Sequence, residues 1–304
     1  MESSGSIRVV YRGRPRQRLA PYLFISPFFI IFSIFGVYPI VKSLYLAFHT
    51  TNGPKSVVFT GWSNFYFLMR DPDFFTALRN TATFALFSIF LQLPLSLALA
   101  VLLDSRWLKG REIFRFIFFS PHLFGQVFVG VVAGVMFVPH FGIIPQVLHA
   151  LFRVNVDTKW LGDQDLVMTS LVAVSLWMYV GYNCIYFLAA LQSVDRELYD
   201  AAAVDGASGW RQFIHVTFPA IKPVVVFIVI MSTIGSFQLF ELPYMLLDQA
   251  SNSNKAGLTL VIYLYQRGFE TGNLGYASAI GWTLTLIILT ISLIQRRLGE
   301  NTRG

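Results

Sequence analysis

Six long runs of predominantly apolar residues punctuate this chain, at about 22–47, 79–103, 113–138, 167–193, 222–247 and 275–295. A helix needs about 20 such residues to cross the hydrocarbon core of a bilayer. In lipid every backbone N–H and C=O must pair internally, and a helix does so within one segment. The runs therefore predict an all-α membrane protein of about six transmembrane helices. Pro27 and Pro39 inside the first run do not argue against it, because helices embedded in a bundle tolerate proline.

Composition agrees. Hydrophobic residues make up 55% of the 304 and charged residues only 13%. An ordinary soluble domain carries about 25% charged residues. A soluble fold of this length could not hide so much apolar surface, 30 phenylalanines included, because much of any folded surface stays in water. The net charge of +7 and pI near 9.6 would point to nucleic acid in a soluble chain. Here the basic residues stand beside apolar runs, so they report membrane topology, and the expected surroundings are lipid, not nucleic acid. A single cysteine, Cys184, rules out an intrachain disulfide and a cysteine zinc cluster. It reads as a small packed side chain. The basic stretch RVVYRGRPRQR resembles the start of a signal peptide, but the apolar run from Leu19 to about Phe48 has no small-x-small cleavage site. It is expected to remain as the first span.

Lys and Arg orient the bundle. If both termini are cytoplasmic, the inner segments hold fifteen basic residues, among them Arg8, Arg12, Arg14, Arg16, Arg18, Arg106, Lys109, Arg111 and Arg115. The longer outer segments hold seven: Lys55, Arg70, Arg79, Arg153, Lys159, Lys255 and Arg267. The expected organisation is a basic cytoplasmic tail at 1–20, a membrane domain at 21–296 with an inner loop at 194–221, and a cytoplasmic tail at 297–304.

That inner loop is too long and too patterned for a passive connector. In VDRELYDAAAVDGASGWRQFIHVTFPAIKP, Asp195 can cap a helix, and Leu198, Ala201, Ala202 and Val204 form a small-residue face. Asp205-Gly206 signals a turn. A second amphipathic stretch carries Trp210, Phe213, Val216 and Phe218, and Pro219 is expected to end it. The expected element is a helix–turn–helix at the cytoplasmic surface. Its small and acidic residues suit docking against a protein groove better than lying on lipid, which favours Lys and Arg.

The loop resembles the EAA motif of ABC importer permeases, in which Glu-Ala-Ala is followed by three residues, Gly, nine residues and Ile-x-Leu-Pro. This chain has Asp200-Ala201-Ala202, Gly206 and Val216-Thr217-Phe218-Pro219 at the same spacing. It has Val194-Asp195 where family members often have Ile-Pro. The segments Phe59–Thr81, Leu97–Pro121 and Gly275–Arg297 are similar to the first outer loop, the second and third spans and the last span of sugar-type permeases. The likeness is to the first permease subunits of the maltose and lactose type. It implies an ABC type I importer permease-like bundle in a bacterial or archaeal plasma (inner) membrane. It also implies a second permease subunit forming a heterodimer, two cytoplasmic ATPase subunits that bind ATP and Mg, and an extracytoplasmic substrate-binding protein. On that resemblance Asp200, Ala201, Ala202, Asp205, Gly206 and Pro219 belong to the ATPase-coupling loop, and closure of the ATPases switches the pore from inward- to outward-facing.

No GxxxxGK[ST] phosphate loop, HExxH or GxSxG motif is present, so the chain is expected to be non-catalytic, without metal or cofactor of its own. Glu241, with Gln238, sits in the apolar run SFQLFELPY. It reads either as a polar group lining a substrate path or as an acid reaching water at the outer interface. Trp177, Tyr182 and Asn183 are further path candidates, since aromatic rings stack on sugar faces and an amide bonds hydroxyls; packing or interface anchoring is the competing reading. Gln92 and Gln126 read as interhelical hydrogen-bond partners. His122 reads as a satisfied structural residue. Asp71 and Asp73, like Asp163 and Asp165, read as solvated loop acids, since a calcium site needs more ligands. An ion-coupled secondary transporter is the alternative, but such proteins carry several membrane-embedded charges and internal repeats. A membrane enzyme would need a cluster of His, Asp or Glu at an interface loop.

Overall fold

The computed structural model describes residues 15–51, 56–105, 108–247 and 255–300, with side chains from residue 21 onward. The expected N-tail up to Arg14, and the basic residues Lys55, Arg106 and Arg303, lie outside the described residues.

Long apolar helices build the molecule. Helix α1 starts at Pro15, and its apolar part is Pro21–Ala47. A two-stranded hairpin follows, β1 (His49–Thr51) antiparallel to β2 (Val57–Phe59), then the short helix α2 (Ser63–Leu68). Helix α3 spans Pro72–Asp104. It begins seven residues before the expected 79 because Asp71 caps it, accepting from the Asp73 N–H at 3.0 Å, with Pro72 at the first helical position. The extra turns bury Phe74 and Ala77 against the outer end of the bundle.

The run expected as one span at 113–138 is two helices, α4 (Arg111–Leu123) and α5 (Gly125–Met136), bent by 95°. Pro121 loosens the last turn of α4, and Gly125 takes a φ of +74° that a side chain disfavours. Hydropathy alone cannot show such a corner, because both arms are apolar.

After α6 (Ile143–Phe152) comes α7 (Gln164–Gln192), capped by Asp163. It is the central helix, packed on the inner half of α3, on α4 and on α9 (Gly209–Phe237). Between α7 and α9 stands α8 (Arg196–Val204). The run expected at 222–247 begins earlier and stops sooner. Helix α9 already includes residues 209–221 and ends at Phe237; a separate helix, α10 (Glu241–Leu246), follows. It packs so closely on α5 that a β-carbon at Gly130 would lie 2.9 Å from Met245 Cβ. Helices α11 (Leu260–Tyr265) and α12 (Leu274–Glu300) complete the chain. The described part of the expected C-tail is thus the end of α12.

Several prolines sit inside long helices without breaking them, and three of them share one device. Pro39, Pro94 and Pro219 each follow a widened π turn, at Ser33–Val37, Ser88–Gln92 and Phe213–Thr217. In each, the residue before the proline donates its N–H five residues back: Tyr38 to Ser33, Leu93 to Ser88, Phe218 to Phe213. A proline donates no hydrogen bond and collides with the carbonyl four residues earlier; the wide turn moves that carbonyl aside. Pro219 therefore does not end the second amphipathic stretch, contrary to expectation, and that stretch is the inner end of α9.

Three buried clusters hold the bundle. The inner one joins α3, α7 and α9 through Leu93, Leu103, Phe187 and Ile221. A second joins α5, α7 and α10 through Val129, Leu171 and Leu242. The third ties α2, α3, α11 and α12 through Leu68, Phe74, Tyr263 and Ile280. At this last cluster Asp71 is only 5% exposed and accepts hydrogen bonds from the hydroxyls of Tyr263 and Tyr276. It is not the solvated loop acid expected. Burial pushes its carboxyl up. The bonds from the two tyrosines and the Asp73 N–H, with the charge of Arg267, outweigh burial and hold it below the usual carboxylate range.

Candidate functional site

Two features stand out, a cavity within the bundle and a helical hairpin at its surface. The cavity measures about 520 Å³. Helical periodicity builds its walls. From α7 come Ser175, Tyr179, Tyr182 and Tyr186, spaced by four, three and four, so they form one stripe. From α3 come Phe84, Ser88 and Gln92 at intervals of four, and from the corner of α4 and α5 come His122 and Gln126. From α9 come Phe227, Met231, Ser232 and Ser236, with Gln238 and Glu241 beyond its end.

One wall is aromatic. The His122 and Tyr182 rings stack with centroids 4.0 Å apart, and the Tyr182 and Tyr186 hydroxyls hydrogen-bond at 2.9 Å. The α3 wall is polar and pinned. Gln92 Oε1 accepts from the Ser175 hydroxyl at 3.0 Å, and the Ser88 and Ser232 hydroxyls meet at 2.9 Å. Ser88 and Gln92 bound the π turn of α3, which displaces the helix where it meets the cavity. Two buried polar atoms of lining residues, His122 Nδ1 and Gln126 Oε1, have no hydrogen-bond partner among the described residues.

Of the candidates read from sequence, Tyr182, Asn183, Gln238 and Glu241 line the cavity together. Trp177 does not: it is 47% exposed on another face of α7. Gln92 makes the interhelical bond expected of it. Gln126 lacks a protein partner, and His122 is not the satisfied structural residue expected. The reading from sequence also missed Tyr179, Tyr186 and the serines. The stripe of Ser175, Tyr179, Tyr182 and Tyr186 is a signal that could have found them, since polar groups on one face of a spanning helix need somewhere to point.

The surface hairpin is α8, its turn and the start of α9. Asp195 caps α8 by accepting from the Glu197 N–H at 3.0 Å, as its position predicts. At the other end the Ala207 N–H donates to the Ala202 carbonyl at 2.9 Å and the Gly206 N–H to the Ala203 carbonyl at 3.0 Å. This pair of bonds is a Schellman closure, with Gly206 in the left-handed region at φ +75°. The closure explains the spacing. Gly206 stands four residues after Ala202 because the sixth residue of the motif must bond back to the first. Tyr199 and Thr217 hydroxyls join at 2.9 Å and lash α8 to α9.

No residue of α8 is buried. Asp200, Ala201, Asp205, Gly206 and Pro219 are all exposed, and Ala202 is half-buried. Val204 is 88% and Trp210 69% exposed beside them. The hairpin thus presents small, acidic and apolar side chains outward on a rigid, internally satisfied backbone.

Residues 116–304 match the family described as binding-protein-dependent transport system inner membrane component. The arabinooligosaccharides transport system permease protein AraP of Bacillus subtilis is 38% identical over 95% of this chain and 91% of its own length. The lactose transport system permease protein LacF of Rhizobium radiobacter is 32% identical over 90% of this chain and 92% of its own. Among solved structures, a chain of a bacterial ABC transporter involved in import of the acidic polysaccharide alginate superposes with a TM-score of 0.82 at 22% identity, covering 94% of this chain and 96% of that one. A chain of a bacterial alginate ABC transporter, solved in complex with an alginate pentasaccharide-bound periplasmic protein, superposes with a TM-score of 0.82 at 21% identity, covering 94% of this chain and 96% of that one.

Proposed function

The chain belongs to the family of binding-protein-dependent transport system inner membrane components, and on that premise we propose that it is one permease subunit of an ATP-driven importer for a di- or oligosaccharide or related polyol-type solute. It is a multi-pass membrane protein. Both termini and the α8 hairpin face the cytoplasm, a reading supported by the excess of Lys and Arg on that side. A second permease subunit completes the channel. Two ATPase subunits dock on the hairpins and bind the ATP and Mg, so hydrolysis takes place on them and this chain carries force, not chemistry. An extracytoplasmic binding protein delivers the cargo, in keeping with the periplasmic protein bound by the alginate relative.

One observation carries the mechanism. Helix α9 runs unbroken from the exposed hairpin to the cavity wall, where Ser232 and Ser236 line the cavity. The Tyr199–Thr217 bond fixes α8 to its inner end. A displacement of α8 by a docked ATPase therefore tilts or shifts a helix that is itself part of the cargo path. Asp200 and Asp205 offer the charges for a basic groove, and Ala201 and Ala202 permit close approach. At the other end Tyr182 offers a ring face, and Asn183, Gln238 and Glu241 offer polar contacts.

The test is purification of the tagged chain in mild detergent with identification of its companions, beside a Gly206→Asp variant. The expected result is a stoichiometric ATPase and second permease for the natural chain, and loss of transport without loss of the folded subunit in the variant. A chain that purifies alone, with transport unaffected by Gly206→Asp, would refute the proposal.

A further inference from the structure

The fold alone does not settle the charge of the cargo, since the alginate relative imports an acidic polysaccharide. The lining of this cavity does carry a charge. Among the described residues that line it there is one carboxylate, Glu241, and no Lys or Arg. The other titratable groups there are His122 and the three tyrosines. An anion entering would leave water for a low-dielectric space, meet no fixed cation on this subunit's described lining and face a like charge. A neutral polyol meets neither cost. It also finds what it needs: a stacked His122–Tyr182 ring surface for the C–H face of a sugar, and the exposed Tyr186 hydroxyl and Gln238 amide for its hydroxyls.

We propose that Glu241 acts as a charge filter, so that this subunit passes uncharged saccharides and rejects carboxylated or phosphorylated ones. The proposal rests on the cavity being the cargo path and adds a selectivity step inside the membrane. The position of Glu241 suits the role. It opens α10, just beyond the end of α9, and α10 packs closely on α5 where Gly130 meets Met245. Its carboxylate is exposed to the cavity space and makes no ion pair among the described residues.

The experiment uses the whole importer complex in nanodiscs without its binding protein, so that selection by that protein does not intervene. Saturation-transfer NMR is recorded with arabinotriose, lactose and maltotriose, and with the aldonic acid made from each by oxidation of the reducing end. Tyr182→Ala and Tyr182→Phe report whether a signal comes from the cavity, and size-exclusion chromatography reports that each variant complex is intact. The expected result is transfer to neutral sugars that Tyr182→Ala abolishes and Tyr182→Phe keeps. The acids are expected to bind about threefold more weakly, the scale of one like charge in a partly solvated cavity. Glu241→Gln is expected to close most of that gap. Equal binding of acids and neutral sugars, with Tyr182→Ala abolishing both, would overturn the filter and leave the cavity as the path. So would discrimination that survives Glu241→Gln. If no signal depends on Tyr182, the path reading itself falls, and the filter with it.

Discussion

Gly181 of α7 lies against the carbonyl of Phe118 in α4 so closely that a β-carbon there would stand 1.9 Å from the oxygen. No rotamer change relieves a clash with backbone, so the helices themselves would have to part. Gly181→Ala is expected to destabilise the subunit by at least ~1–3 kcal/mol, the usual cost of overpacking. Thermal unfolding in detergent measures it. Gly134→Ala is the control: beyond its own turn of helix no described atom lies within 4 Å of its β-carbon position, and its melting temperature should equal or slightly exceed that of the natural chain.

The outer cluster around Asp71 predicts a pH dependence. Its carboxyl is held below the usual range, so the folded state binds its proton less readily than the unfolded chain. The stabilisation is complete above the unfolded value of about 4 and is lost as pH falls through the lower folded value. The Tyr263 hydroxyl, pushed up to about 12 first by burial and then by its bond to Asp71, works in the opposite sense. Its contribution holds below the unfolded value of about 10 and fades as pH rises through 12. Melting temperatures across pH should show both flanks, and Asp71→Asn should flatten the acid one. Tyr276→Phe, which removes one donor at 2.6 Å to a carboxylate, should cost about 1.5–3 kcal/mol at neutral pH.

At Gly206 the backbone is left-handed and the space around it is open. A side chain meets strain but no collision. Gly206→Ala should cost ~1–2 kcal/mol of local strain and loosen the closure of α8, whereas Gly206→Asn should cost less because asparagine tolerates that conformation. Both variants should insert and fold. Transport, and ATPase activity coupled to it, should fall further for alanine than for asparagine; equal activity in all three would show that the turn geometry is immaterial.

Cys184 is 2% exposed, packed between α3, α7 and α9 in the inner cluster. The native subunit should resist a maleimide reagent and take up one equivalent after unfolding in denaturant. Rapid labelling of the native protein would mean that α7 is not the central helix.

Much of this was legible in the amino-acid order. Six apolar runs predict about six spans, and among the described residues five continuous apolar helices and one bent pair form. The hairpin at 195–206 was legible in detail, because a cap and a Schellman closure depend on residues two to six positions apart. The bend at Gly125 was not. Pro121 and Gly125 permit a corner, but similar punctuation at Pro39, Pro94 and Pro219 is absorbed by a π turn, and packing of the neighbouring helices selects between the two outcomes.

The sequence by itself determined that this chain is helical, membrane-spanning and equipped with a surface hairpin, since apolar length and local turn chemistry suffice for each. Only the tertiary structure decided which residues share the cavity and that Asp71 is buried. In lipid the outer face of a helix is as apolar as its inner face, so hydropathy does not say which side looks inward. Those facts rest instead on pairs far apart in the chain: Gln92 with Ser175, 83 positions away, and Asp71 with Tyr263, 192 positions away.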